Sequence, residues 1–202
     1  MRKPAANSTR RASWACPCST KPGCRSSCVQ TTEPAGPARR LALLGGESSG
    51  KTTLAQALAE QLHTAWVPEY GRELWERLRQ TLSVEELLHV GRHQIELEDA
   101  AAAGRGGWIV CDTTPLTTLQ YCLHDHGTAP EELQAMARRR YDLTVVCAPD
   151  FAFVQDGCRR DDSFRQAQHA WTLAQLQAQG VPCLLAQGSV AQRVQQVLAA
   201  LR

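Results

Sequence analysis

Lysine is scarce in this chain: Lys3, Lys21 and Lys51 stand against 19 arginines, so the folded part carries a single ammonium side chain. Long apolar runs are missing as well. Nothing reaches the roughly 18 consecutive apolar residues that a membrane-spanning helix needs, and the basic N-terminus lacks the apolar stretch of about 7–15 residues that marks a secretory signal. Cysteines are present, but paired C-x2-C knuckles are not. Cys16, Cys18, Cys24 and Cys28 follow a C-x-C-x5-C-x3-C spacing, which does not match a familiar zinc ribbon. His124 and His126 are two positions apart, do not share a helix face and have no evident third ligand, so they do not read as a metal site. Basic charge is lacking where it would matter for nucleic acid. Residues 1–40 hold eight Lys/Arg and one acid, Glu33, for a net +7, while residues 41–202 hold 14 basic and 19 acidic groups, net −5. A folded part of that sign is not expected to bind nucleic acid.

What is present is concentrated in Gly45-Gly46-Glu47-Ser48-Ser49-Gly50-Lys51-Thr52. This segment satisfies G-x-x-x-x-G-K-[ST], follows the apolar run Leu41–Leu44 and leads through Thr53 into a helical pattern. Glycines let the backbone curl around phosphate oxygens, and the helix N-terminus adds positive potential. Lys51 is placed for the β- and γ-phosphates and Thr52 for Mg²⁺. The expectation is a bound ATP, with Gly45 to Thr53 as its cradle.

Residues 1–38 are rich in Ser, Pro, Ala and Arg without apolar periodicity, and are expected to be a disordered tail. An organellar targeting peptide and a start codon assigned too far upstream both fit its composition. Residues 39–202 read as one domain of alternating strands and helices. Strands are predicted at 41–44, 65–68, 108–112, 142–147 and 181–186. Helices are predicted at 50–63, 73–80, 84–103, 116–124, 130–140, 166–179 and 190–201, with Ser83 and Glu86 forming a capping box before the third. Such alternation implies a parallel sheet of about five strands flanked by helices, the three-layer α/β sandwich of P-loop NTPases and kinases. Cys111, Cys122, Cys147, Cys158 and Cys183 suit reduced thiols of a cytoplasmic protein.

Ligands of such a sheet sit at the carboxyl ends of its strands. Asp112 closes the third strand, where an acid can hold Mg²⁺ or accept a proton. Glu69 ends the second and can take a proton from a substrate hydroxyl, so the two compete for the role of base. Glu69-Tyr70-Gly71-Arg72 adds an aromatic face, a chain reversal and a cation, and Trp66 lies close enough in sequence to stack on a substrate ring. The Asp156–Arg165 segment reads as a mobile loop whose arginines, among them Arg159, Arg160 and Arg165, neutralise a transferring phosphoryl group. Arg138-Arg139-Arg140 reads as the structural end of a helix.

Taken together, Gly45–Lys51, Glu69-Tyr70-Gly71-Arg72-Glu73, His93-Gln94, Asp112-Thr113 with Thr117-Thr118, and Asp156-Gly157-x-Arg159 resemble the ribosylnicotinamide kinase domain of bacterial NadR-type NAD-biosynthesis proteins, an AAA/P-loop domain. The resemblance covers roughly residues 40–202. It implies transfer of the ATP γ-phosphate to the 5′-hydroxyl of nicotinamide riboside, with Lys51 and Thr52 holding phosphate and Mg²⁺, Glu69, Tyr70, Arg72 and Gln94 on the acceptor side, and Arg159 in the lid. The H-x-G-H motif of the adenylyltransferase domain of those proteins does not occur, so a stand-alone kinase-like domain is expected, with a small nucleoside as its partner.

Overall fold

The computed structural model describes residues 36–104, 106–155 and 160–202. The Cys16–Cys28 cluster, nearly all of the 1–38 tail and Arg159 lie outside them. Five strands form one sheet: β1 (Arg39–Leu44), β2 (Trp66–Val67), β3 (Trp108–Asp112), β4 (Leu143–Cys147) and β5 (Leu184–Ala186). Every pairing is parallel, in the order β2-β3-β1-β4-β5. The helices are α1 (Lys51–Leu62), α2 (Tyr70–Leu78), α3 (Val84–Ala102), α4 (Pro115–His126), α5 (Glu131–Met136), α6 (Asp162–Ala178) and α7 (Val190–Ala200).

β1 is central because both of its faces are apolar. Leu41 and Leu43 pack into one core with Leu54 and Leu58 of α1 and Val194 and Val197 of α7. Leu44 turns the other way, into a second core with Leu87, Leu119, Leu133 and Leu176 from α3 to α6. The same alternation, with its strand period of two, divides β4: Val145 and Cys147 join the first core and Val146 the second. Each fully buried leucine contributes about 1.5–3 kcal/mol of transfer free energy, so these two layers fix which strand ends converge. The Ser83 capping box forms, with Glu86 N–H donating to Ser83 Oγ at 3.2 Å and Ser83 N–H to Glu86 Oε2 at 2.7 Å.

Four local expectations need correcting. Residues 70–72 do not reverse the chain; they form the first turn of α2, which begins right after Glu69. The helix expected over 130–140 stops at Met136, so the arginine run does not meet a helix terminus. Arg139 instead pairs with Glu98 (Nε to Oε2 3.2 Å) and with Asp99, and Arg140 donates to the Gln179 carbonyl at 3.0 Å. Third, α6 starts four residues earlier than the apolar pattern suggests, because Asp161 caps it through Phe164 N–H at 2.7 Å. Finally, β5 is only Leu184–Ala186.

At the amino end of the sheet lies a buried ionic cluster. Glu98 is fully buried and takes hydrogen bonds from Tyr141 Oη at 3.1 and 3.0 Å in addition to the Arg139 ion pair. Burial outweighs these partners and pushes its carboxyl up to about 7. Arg40 joins through Asp99 at 2.8 Å.

Candidate active site

Gly45 and Gly46 are required by close backbone approach. A Cβ on Gly45, whose φ is +137°, would meet the Cys147 carbonyl at 2.7 Å, and one on Gly46 would meet the Arg165 carbonyl at 2.5 Å. The phosphate loop is therefore wedged between β4 and α6. Lys51 Nζ donates to the Gly45 and Gly46 carbonyls at 3.0 and 2.9 Å, holding the ammonium inside the loop. Glu47 is tied down from three directions. Its N–H donates to Gln168 Oε1 at 2.8 Å, and its carboxylate accepts from Tyr121 Oη at 2.8 Å and from Arg160 N–H at 2.7 Å. Its charge is thereby directed to α4 and the start of α6.

Sequence reasoning missed the residue that braces the loop from behind. Arg193 of α7 is 2% exposed and donates to the carbonyls of Ser49 (2.7 Å), Ala148 (2.9 Å) and Gly188 (2.9 Å), and it pairs with Asp150. Phe151 lies 5.0 Å from its guanidinium. A lone arginine among helical glutamines carried no local signal; only the tertiary fold brings it under the loop, 144 positions away.

At the end of β3, Asp112 is 1% exposed. Thr52 Oγ1 donates to its Oδ2 at 2.6 Å, while Oδ1 has no hydrogen-bond partner among the described residues. A buried carboxylate oxygen without a partner, next to a phosphate-loop hydroxyl, is the donor set of a hard divalent cation. Thr52 and Asp112 thus fit Mg²⁺. Burial raises the Asp112 carboxyl, and the charge of Lys51 and the Thr52 hydrogen bond pull it back.

Glu69 closes the loop after β2 and opens α2. Its nearest cationic contact is long, 4.0 Å to Arg72 Nε, and Arg72 also reaches Glu76 at 3.8 Å. Burial raises the Glu69 carboxyl, Lys51 opposes the shift, and the neighbouring Asp112 adds to it. Two carboxylates and the lysine therefore share one electrostatic field.

One cleft joins these groups. It is lined by the Gly45–Thr53 loop, by Glu69, Arg72 and Gln94, and by Trp75, Thr81, Leu82, Leu87 and Val90. Trp66 packs instead into the core beneath α1 and α7, so the aromatic wall is Trp75. Tyr70, expected to offer its ring to a ligand, turns away: its ring meets His93 edge-on at 4.3 Å and its hydroxyl lies 3.2 Å from His89 Nε2. Because α2 begins at Tyr70, Gly71, Arg72 and Trp75 share one face and Tyr70 and Leu74 the opposite one. Arg160 lines the cleft and pairs with Asp125. Arg165 does not: it is 3% exposed, pairs with Asp162 and donates to the Phe151 carbonyl at 2.9 Å.

Thr113 was singled out only through the family resemblance. It has φ +75°, is 4% exposed, and leaves its hydroxyl without a partner among the described residues. A β-branched residue held in that region costs on the order of 1–3 kcal/mol, and such strain clusters at ligand sites. Its N–H donates to the Leu43 carbonyl at 3.0 Å, which locks the strained turn to β1.

A parallel sheet in this order, with a G-x-x-x-x-G-K-T loop leaving its central strand, defines a P-loop nucleotide-binding protein. The chain belongs to the AAA domain family, whose model matches residues 40–193. Over 137 residues, 60% of this chain, it is 31% identical to the trifunctional NAD biosynthesis/regulator protein NadR of Escherichia coli (strain K12). It is 30% identical to the protein of that name from Salmonella typhimurium over the same length. It spans 31% of the length of these curated relatives. Among solved structures, a NadR protein in complex with NR matches with a TM-score of 0.65 at 21% identity, over 80% of this chain and 51% of that one. Thymidylate kinase from Ehrlichia chaffeensis matches with a TM-score of 0.59 at 15% identity, over 82% of this chain and 100% of that one. These likenesses in shape establish the fold.

Proposed function

We propose that the protein transfers the γ-phosphate of ATP to the 5′-hydroxyl of nicotinamide riboside, giving nicotinamide mononucleotide and ADP. The observation that carries this reading is the pair Glu69 and Asp112. Asp112 is buried and Glu69 half-buried, both within the field of Lys51, and Glu69 lines the same cleft as the phosphate loop and the apolar residues around Trp75. Their surroundings divide the work between them. Asp112 is engaged by Thr52 and would hold Mg²⁺ with it; the cation, when bound, supplies charge neutralisation at the phosphates. Glu69, whose cationic contact among the described residues is a long one to Arg72, is the base. It accepts the proton of the 5′-hydroxyl as that oxygen bonds to the γ-phosphorus and the bond to the β-phosphate oxygen breaks. Lys51 stabilises the charge on the transferring group and Arg160 adds a second cation from the cleft lining; Arg159, expected from the sequence to act with it, lies outside the described residues.

The acceptor half favours an uncharged nucleoside over a nucleoside monophosphate. The described cations lining the cleft are Lys51 in the loop, Arg160 in the lid and Arg72, and Arg72 already faces Glu69 and Glu76. Trp75 offers a face on which a planar ring can stack. Support for the nicotinamide ring comes from the NadR relatives and the NR-bound structural neighbour. The test is ADP release by the purified full chain with ATP, Mg²⁺ and a nucleoside panel, with the phosphorylated product identified by mass. Nicotinamide riboside is expected to accelerate release above the acceptor-free rate. Turnover that no acceptor accelerates would leave only an ATPase and refute the kinase.

A further inference from the structure

A carboxylate inside an anion-binding loop needs a reason. The N–H groups of such a loop and the start of the following helix attract phosphate, and a negative side chain among them opposes it unless its charge is engaged elsewhere. Glu47 is that carboxylate, and both of its oxygens are taken. Tyr121 Oη of α4 donates to Oε1 at 2.8 Å and the Arg160 N–H to Oε2 at 2.7 Å. Burial and the charges of Glu47 and Glu69 push the Tyr121 hydroxyl well above its ordinary value, so it stays a donor. The backbone of Glu47 is fixed as well. Its N–H donates to Oε1 of Gln168, which is 2% exposed and accepts Gln120 Nε2 on its carbonyl at 3.2 Å.

This chain of bonds leads to Arg160. The Arg160 carbonyl is bonded within its own segment, by Gln155 Nε2 at 2.9 Å, whereas Glu47 ties its N–H to the phosphate loop. The side chain is held differently: the guanidinium pairs with Asp125 of α4 and lies 4.5 Å from the Phe164 ring. Glu47, Asp125 and Arg160 line the cleft that also holds Lys51. The root of the side chain is thus anchored to the loop, while its charge rests on a carboxylate in the same cleft. A phosphate can replace that carboxylate, because the guanidinium fork suits either anion. Placement decides what such a cation is worth, since an error of about 1 Å can cost on the order of 100-fold in rate. We infer that Glu47 is a positioning residue for the transfer step: it pins the Arg160 backbone to the phosphate loop, so that the guanidinium passes from Asp125 to the transferring phosphoryl group about a fixed root. This rests on the kinase reading above and adds to it how the second cation is placed.

The experiment is a double-mutant cycle on the full chain, read as kcat for ADP release on whichever acceptor of the nucleoside panel is phosphorylated. Arg160→Ala should lower kcat by about 100-fold, as removal of a charge-stabilising group does, and it keeps the backbone N–H that Glu47 accepts. Glu47→Gln retains size and one acceptor but turns an amide donor toward Arg160 N–H or Tyr121 Oη; it should lower kcat by about tenfold. The KM for ATP should change little, the pattern of an interaction made only in the transition state. In the Arg160→Ala background the same Glu47→Gln change should cost no more than about twofold, because no guanidinium remains to be placed. Tyr121→Phe, which frees the other carboxylate oxygen, repeats the cycle without altering Glu47 and should show the same loss of effect in that background. A merely structural role would multiply, giving equal factors with and without the Arg160 side chain. Equal factors in both cycles, or wild-type kcat in Arg160→Ala or Glu47→Gln, would overturn the inference while the kinase reading stands. If no acceptor of any kind is turned over, the kinase reading fails and the inference falls with it.

Discussion

The two ends of the sheet both bury charge, and they do so in opposite ways. At the amino end, Glu98 is enclosed with Tyr141 and Arg139, and its carboxylate oxygens are hydrogen-bonded or ion-paired. At the carboxyl end, Asp112 Oδ1, Gln94 Nε2, Thr113 Oγ1 and Ser49 Oγ are buried without hydrogen-bond partners among the described residues. Burial alone does not separate the two sites, and neither does a displaced pKa, since Glu98, Glu69 and Asp112 are all raised by desolvation. The state of the carboxylates separates them: both oxygens of Glu98 are engaged by Tyr141 and Arg139, although Arg40 Nε and Arg139 Nε in the same cluster lack hydrogen-bond partners among the described residues, while Asp112 keeps one oxygen open. We read the amino-end cluster as belonging to stability and the carboxyl-end groups as those a ligand would complete.

That contrast is sharpest under mutation. Lys51→Ala and Glu69→Gln should each lower kcat/KM by at least about 100-fold, the usual cost of losing a charge-stabilising group or a general base. ADP release with saturating ATP measures both, and near-normal turnover in either would erase the distinction. With Glu69 as base and its carboxyl raised, activity should fall on acidification at a pH above the ordinary glutamate value of 4.5, and Glu69→Gln should lack that limb in its pH profile. At the other end, Glu98→Gln should leave kcat/KM within about threefold and act on stability instead. Between pH 4.5 and about 7 the native state keeps a proton that the unfolded chain has released. Stability therefore declines as pH rises through this window, by on the order of 3 kcal/mol from this group. Denaturant titrations should find that slope in the wild type and a flatter one in Glu98→Gln. The smallest effect is expected from Tyr70→Phe, which loses the contact to His89 at a cost of about 1 kcal/mol and leaves the acceptor KM unchanged.

The donor half of the site was legible in the chain because its information is local. Gly45, Gly50, Lys51 and Thr52 sit at fixed spacings between a strand and a helix, and the apolar run ending in Asp112 marks a strand terminus without reference to anything distant. The acceptor half depends on the rotation of α2 about its axis. With the helix expected to begin at Glu73, Tyr70 looked like the presented aromatic; beginning it at Tyr70 turns Trp75 to the cleft and Tyr70 to His89 and His93. Arg165 and Arg193 illustrate the same limit. Arginine in a polar stretch reads as solvated, yet both are nearly buried because backbone carbonyls and single aspartates await them in the folded chain.

Arg193 also bears on the order in which the molecule is made. The phosphate-binding motif is translated early, and α1 and β1 can pair with local neighbours, but the Ser49 carbonyl receives its guanidinium from the helix that emerges 144 residues later. During synthesis the motif is present long before the loop is braced, since domains complete their folding only when their long-range contacts can form. A nascent chain stopped short of α7 would carry the whole nucleotide signature in its sequence and lack the guanidinium that holds the Ser49 carbonyl.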